Sequence, residues 1–197
     1  MRHQYVYSAL NRRRSIRLIQ VQRFETETVE IGLFEVSLSS APPYNALSYS
    51  WDGQSPDRHI VCDGKDLSVT PNCEAALRRL RRDERYCTIW IDAICINQES
   101  SVERSAQVQI MGEIYSKAQN VLIWLGEATI QSEVAFQFLH NASRVISNDR
   151  LTHEQYERLM LEYRGSLIQK TVSQSFKLIR SRIFWSSLWQ HNRWLLL

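Results

Sequence analysis

Two polar side chains, Glu103 and Gln107, lie on the side of a predicted helix that should face the core, and together they could line a ligand site. Apolar spacing predicts a helix over about residues 101–118. Its core-facing stripe consists of Ile110, Met111, Ile114 and Ala118. Extended towards the N-terminus, this stripe passes through Gln107 and Glu103. Ligands of open α/β sheets bind at the carboxyl edge, which the start of such a helix faces.

Each of these residues also has an ordinary structural interpretation. The sequence from Ser100 to Glu103 spells the S-x-x-E capping box, in which the glutamate accepts a hydrogen bond from the N-cap backbone N–H. One glutamate can serve both as a cap and in a site. Gln107 has no such local explanation, and its alternative role is an amide that braces a neighbouring loop.

Asp92 follows a continuous apolar strand predicted over residues 88–91, and Cys95, Asn97 and Gln98 come next in a predicted loop. Apolar residues followed by aspartate resemble the metal-orienting strand of nucleotide hydrolases. The chain has no G-x-x-x-x-G-K-[ST] phosphate loop, so ATP hydrolysis is unsupported. The alternative is an aspartate that hydrogen-bonds loop amides. Cys95 could be a nucleophile, but no histidine lies near it in sequence, which favours a buried structural thiol.

Ser50 and Trp51 end a second apolar strand, predicted over residues 44–51. Ser50 lacks the G-x-S-x-G elbow that would expose a hydrolase nucleophile. A tryptophan at a strand end is usually part of the core, but it can also form a wall that stacks on a ligand ring.

The elements that position these residues combine both sheet types. Alternation over residues 16–21 and 29–38 predicts an antiparallel pair, and Asp63-Gly64 is the strongest hairpin signal. The apolar strands 88–91 and 121–125, joined by a helix, predict a parallel sheet covered on both faces. The predicted fold class is therefore α/β, a mainly parallel sheet flanked by helices with an antiparallel N-terminal β attachment.

Composition excludes several function classes. The 197 residues suit one domain, and a net charge of +3 is too balanced for nucleic acid or an anionic membrane as main partner. The RRLRR string at residues 78–82 is typical of a solvated helix face. Neither the four cysteines nor the five histidines have metal-ligand spacing. No stretch resembles a signal peptide or a membrane helix, so we expect a cytoplasmic or nuclear protein without a membrane or metal site, and we take it as cytoplasmic.

Three blocks carry a family resemblance. YNALSYSW at residues 44–51 resembles the motif YxALSYxWG, and IWIDAICINQ at 89–98 is similar to LWIDAICINQ. A third block contains Glu103-Arg104, Gln107-Val108, Met111, Ile114-Tyr115, Ala118 and VLIWLG at 121–126. Together they resemble the fungal heterokaryon incompatibility (HET) domain family over about residues 14–189.

This resemblance implies an effector in fungal non-self recognition and cell death that acts through protein partners, self-association included. The family has been likened to TIR domains, some of which cleave NAD with a glutamate. The alternative is therefore a TIR-like NAD glycohydrolase with NAD as substrate. Asp92, Glu103 and Glu133 are then the candidate carboxylates.

Two departures from the family pattern affect these expectations. Asp52 is inserted into the WG motif, and the expected RxWxxQE block lacks its glutamate after Trp189. We therefore expect a polar extension at residues 1–14, a HET domain truncated at its C-terminus at 15–189, and a divergent tail at 190–197. The missing glutamate favours the effector over the enzyme.

Overall fold

A computed structural model describes residues 2–11, 14–22, 27–49, 51, 53–82, 88–124, 126–127 and 193–196. All of these residues except Glu127 belong to one compact unit. The predicted site residues Ser50 and Glu133, and the inserted Asp52, lie outside the described residues.

The described residues form strands and helices at the following positions. The strands are β1 Ser15–Val21, β2 Glu30–Ser37, β3 Asn45–Tyr49, β4 Arg58–Cys62, β5 Lys65–Val69, β6 Thr88–Ile91, β7 Asn120–Trp124 and β8 Arg193–Leu196. The helices are α1 Pro71–Arg81, α2 Asp92–Cys95 and α3 Ser101–Lys117.

The eight strands form one mixed sheet in the order β5-β4-β2-β1-β6-β3-β7-β8. Strands β6, β3, β7 and β8 run parallel to their neighbours within that group. Strand β1 is antiparallel to both β2 and β6, and β4 is antiparallel to β5. The predicted α/β class is confirmed, as a mixed sheet.

The two N-terminal strands are an integral part of this sheet and not an attachment to it. Their predicted antiparallel pairing is confirmed, but β1 also pairs with β6 and β2 pairs in parallel with β4. Every residue of β1 except Gln20 is buried. A strand buried on both faces needs neighbours and cover on all sides, which an edge position does not provide.

The predicted hairpin is confirmed in register and in turn geometry. Cys62 pairs with Lys65 across the turn. Asp63 and Gly64 both have positive φ, 49° and 77°. This is the pattern of a two-residue type I′ turn, which glycine adopts without steric cost.

The two long helices cover opposite faces of the parallel strands. Trp90 of β6 packs edge-on against Tyr115 of α3, with ring centroids 5.3 Å apart. Trp124 of β7 donates its indole N–H to Oδ1 of Asn72 in α1 at 2.8 Å. The registers of β6, β3 and β7 place these two tryptophans on opposite faces, because side chains alternate along a strand.

Both helices begin as the sequence predicts. Thr70 caps α1, since its Oγ1 accepts the backbone N–H of Cys73 at 3.2 Å, and Pro71 occupies the first helical position. In α3 the apolar stripe is confirmed, with Ile114 and Ala118 buried.

Within the part of the chain that the structure describes, no helix has the length and apolar character needed to cross a membrane.

Candidate functional site

Three residues from neighbouring parts of the chain lie at the carboxyl edge of the parallel strands. Asp92 directly follows β6, Trp51 lies just beyond β3, and Trp124 ends β7. Since β6, β3 and β7 are parallel neighbours, their carboxyl ends meet at one edge of the sheet. This is the edge at which open α/β sheets bind ligands.

Asp92 is half-buried at the start of α2, and its Oδ1 accepts the backbone N–H of Ala93 at 2.9 Å. Burial raises the pKa of the Cys73 thiol to about 12, and the negative charge of Asp92 adds to this rise. The pKa of Tyr49 is also raised, by burial first and by Asp92 in part. The carboxylate therefore lies near the end of β3 and the first turn of α1.

A chain of hydrogen bonds joins the end of β3 to α1 and β7. The Trp51 carbonyl accepts the backbone N–H of Gln54 at 2.8 Å, and Gln54 Oε1 accepts that of Asn72 at 3.0 Å. Asn72 Oδ1 in turn accepts the Trp124 indole N–H. Trp51 itself, taken as a whole residue, is 37% exposed. Interpreting Trp51 as a core residue is thus wrong, and stacking on a ligand ring remains a prediction.

Cys95 is fully enclosed at the end of α2. Its residue exposure is 1%, and its sulfur accepts the backbone N–H of Ile91 at 3.4 Å. Burial raises the pKa of the thiol far above its usual range, against a smaller lowering by the Ile91 N–H and Arg17. A nucleophile must be thiolate and accessible, so the geometry favours a structural thiol.

Asn97, Gln98 and Arg104 all hold the backbone that follows α2. Asn97 Oδ1 accepts the N–H of Glu99 at 3.1 Å, which is an Asx turn. Gln98 Nε2 donates to the Asp92 carbonyl at 2.8 Å, and Arg104 Nη1 donates to the Gln98 carbonyl at 3.1 Å. These amides and this guanidinium therefore fix the shape of the segment that carries Asp92. The sequence predicted that a loop containing Cys95, Asn97 and Gln98 follows Asp92, and the short helix α2, Asp92–Cys95, forms the first part of it.

Glu103 points inwards as predicted, and both of its oxygens are engaged. Oε1 and Oε2 accept Nη1 and Nη2 of Arg17 at 2.5 and 3.0 Å, and Oε1 also accepts the backbone N–H of Asn97 at 2.7 Å. Only half of the predicted capping box forms: Ser100 Oγ accepts the Glu103 N–H at 3.2 Å, while the carboxylate bonds Asn97 instead. Burial alone would raise the pKa of Glu103, but the hydrogen bonds from Arg17 and Asn97 outweigh it and lower that pKa.

Arg17 is a buried residue that sequence reasoning missed. Its side chain is 4% exposed in the middle of β1, and its guanidinium also donates to the carbonyls of Cys95 at 3.0 Å and Ser8 at 2.6 Å. Burial alone would lower its pKa, but Glu103 outweighs burial and raises it. The one available signal was an arginine flanked by apolar residues in a strand predicted to be half-buried.

Gln107 is buried and reaches β1. Its Nε2 donates to the Ser15 carbonyl at 2.9 Å, and its Oε1 has no hydrogen-bond partner among the described residues. The amide thus braces strand β1, whereas the sequence predicted that it braces a loop. Glu103 and Gln107 therefore both bond residues of β1, which pairs with one side of β6. Trp51 follows β3, which pairs with the other side of β6, and Asp92 follows β6 itself.

The described residues thus define an α/β protein with a mixed sheet, whose parallel part presents an aspartate and an exposed tryptophan at its carboxyl edge. Residues 44–195 match the family model "Heterokaryon incompatibility protein (HET)", and the chain belongs to this family. The match begins at Tyr44, directly before β3, and extends into β8, where it ends at Leu195.

One curated relative is "Heterokaryon incompatibility protein 6, OR allele" of Neurospora crassa. It is 33% identical over 160 residues, which cover 68% of this chain and 24% of the relative. The chain thus spans about a quarter of the length of that relative. No solved structure matches the chain.

Proposed function

We propose that this chain is a cytoplasmic effector module of fungal heterokaryon incompatibility, which signals cell death by associating with protein partners, including other copies of itself. The observation that carries the proposal is the family match over residues 44–195. The Neurospora relative, whose name states heterokaryon incompatibility, supports it.

Expression in a fungal host tests this proposal. We expect induced cytoplasmic expression to arrest growth and to raise vital-dye uptake, with cellular NAD unchanged. Leu77 is completely buried in α1, so Leu77→Asp supplies an unfolded control that should be harmless. Sedimentation of the purified chain should reveal concentration-dependent association. A folded, well-expressed chain that harms no host would overturn the effector function.

A second candidate function, a TIR-like NAD glycohydrolase, is supported by strand order. Taken in chain order, β3, β6, β7 and β8 are the first to fourth parallel strands, and the sheet arranges them as second, first, third and fourth. Flavodoxin-like sheets share this arrangement and bind ligands where the order switches, which here is between β3 and β7. Trp51 follows β3 beside that point, and Asp92 follows β6, the neighbour of β3 on its other side.

In such a reaction, water would replace nicotinamide at the ribose carbon of NAD, giving nicotinamide, ADP-ribose and a proton. A carboxylate would stabilise the positive charge that develops on the ribose ring. Of the described candidates, Glu103 does not suit this role, because both of its oxygens are held by Arg17 and Asn97, and we therefore assign the role to Asp92. Trp51 would stack on a base of the substrate.

Nicotinamide release from NAD by the purified chain tests this second function. Asp92→Asn should lower the rate at least a hundredfold, in the range typical for loss of one charge-stabilising group. The matched control is Glu99→Gln, an exposed carboxylate on the same segment. Absence of release from the wild-type chain would exclude the enzyme and leave the effector proposal standing.

A further inference from the structure

Residues 2–11 form an extended segment, here called the strap, which joins the far edge of the sheet to α2. At the β5 edge, the N–H of Tyr5 donates to the Asp66 carbonyl at 2.7 Å, and the N–H of Asp66 donates to the His3 carbonyl at 2.9 Å. Further along, the Tyr7 hydroxyl donates to the Ile94 carbonyl at 2.9 Å. At its end, Asn11 donates its backbone N–H and its side-chain amide to the Glu35 carboxylate of β2 at 2.9 and 3.0 Å. The strap therefore contacts β5, β2 and α2.

Arg17 joins the strap to the same segment of chain. Its Nη2 donates to the Ser8 carbonyl of the strap, and its guanidinium lies 5.0 Å from the centre of the Tyr7 ring. Its Nη1 donates to the Cys95 carbonyl of α2. Through Glu103 it also holds the N–H of Asn97. A single buried guanidinium thus bonds the strap, α2 and α3.

The segment that receives these contacts has little stability of its own. Helix α2 has four residues and no side-chain N-cap, and the N–H of Ile96 bonds the Asp92 carbonyl at a long 3.3 Å. A single helical turn is unstable in water without tertiary contacts, because its nucleation is unfavourable. The conformation of residues 92–98 therefore depends on the side chains of Asn97 and Gln98 within the segment and, in addition, on groups outside it.

We propose that the strap is a latch that sets the conformation of residues 92–98. Arg17 is the positioning residue that links the strap to this segment. When the strap is seated, the Ile94 and Cys95 carbonyls and the Asn97 N–H are all fixed. When it detaches, Arg17 loses the Ser8 carbonyl and the Tyr7 ring, and Ile94 loses its donor. Displacement of the strap thereby loosens the segment that carries Asp92, whichever of the two functions that segment serves.

Hydrogen exchange of the full chain tests this latch. Tyr7→Phe removes only the hydroxyl that reaches Ile94. We expect exchange in a peptide covering residues 93–99 to quicken about threefold to tenfold, the range for one lost hydrogen bond. Tyr5→Phe is the matched control, because the Tyr5 ring lies 5.0 Å from the Tyr7 ring on the same strap, but the hydroxyl that this change removes bonds Cys62 of β4 and not α2. It should leave residues 93–99 unchanged.

A second variant, Arg17→Lys, keeps the charge but cannot reach all the acceptors of a guanidinium. It should quicken exchange in the same peptide about tenfold or more, while α1 exchanges at the wild-type rate. If Arg17→Lys fails to fold, Tyr7→Phe alone decides the outcome. Unchanged exchange at residues 93–99 in Tyr7→Phe would overturn the latch, as would an equal rise in both tyrosine variants.

Discussion

The guanidinium of Arg17 and the carboxylate of Glu103 form a paired, two-bond contact between residues 86 positions apart. Their side chains are 4% and 12% exposed. The pair joins the middle of β1 to the first turn of α3, and it stands where the sequence predicted an inward-facing site glutamate. Its consequences for stability can be measured directly.

Removing one partner of this pair should be costly. Glu103→Gln leaves a buried guanidinium without its counter-charge, and we expect the free energy of unfolding to fall by about 3 kcal/mol in urea titrations. The matched control is Glu113→Gln, since Glu113 pairs with Arg14 at the surface, where the side chains are 35% and 58% exposed. That change should cost less than about 1 kcal/mol. Equal losses would mean that burial does not distinguish the two pairs.

The same pair gives stability a defined pH dependence. The pKa of Glu103 in the folded chain is lowered below its ordinary value of 4.5, so the unfolded chain takes up this proton first as the pH falls. The contribution of Glu103 is therefore complete above pH 4.5 and is lost as the pH drops through the folded-state pKa. In urea titrations between pH 7 and pH 3, the free energies of unfolding of wild type and Glu103→Gln should converge at the acid end. A difference in free energy of unfolding that stays constant over this pH range would contradict the ion pair between Arg17 and Glu103.

Local sequence patterns predicted the local structure of this chain well. The β1–β2 pairing, the Asp63-Gly64 hairpin and the Thr70 cap of α1 each depend on residues close in sequence, whose types favour one backbone geometry. The inward orientation of Glu103 and Gln107 likewise followed from helical periodicity.

Long-range placement was not predictable from these patterns. The position of β1 between β2 and β6 depends on burial across the sheet, and strand β8 has only four residues, whose pairing with β7 is non-local. Arg17 was missed for the same reason. An arginine in an alternating strand normally faces solvent, and its partner Glu103 belongs to another element.

Two glycines should respond to alanine with opposite signs. Gly64 has φ 77° in the hairpin turn, a conformation that costs an L-residue about 1–2 kcal/mol. Gly112 lies within α3, and a Cβ there would meet nothing within 4 Å. Gly64→Ala should therefore lower the midpoint of thermal unfolding, and Gly112→Ala should raise it by stabilising the helix about 0.5–1 kcal/mol. A fall in both would show that α3 packs against a surface at Gly112.

The thiol of Cys95 should be unreactive in the folded chain. It is 1% exposed and its pKa is raised by burial, so at pH 8 it stays protonated and shielded from reagent. After brief iodoacetamide treatment at pH 8, peptide mapping should find Cys95 unmodified, with full labelling once urea unfolds the chain. Cys73, equally buried and with its pKa raised to about 12, serves as the internal comparison. Selective labelling of Cys95 without urea would restore it as a candidate nucleophile, because only a specific opening of α2 could expose it and leave Cys73 covered.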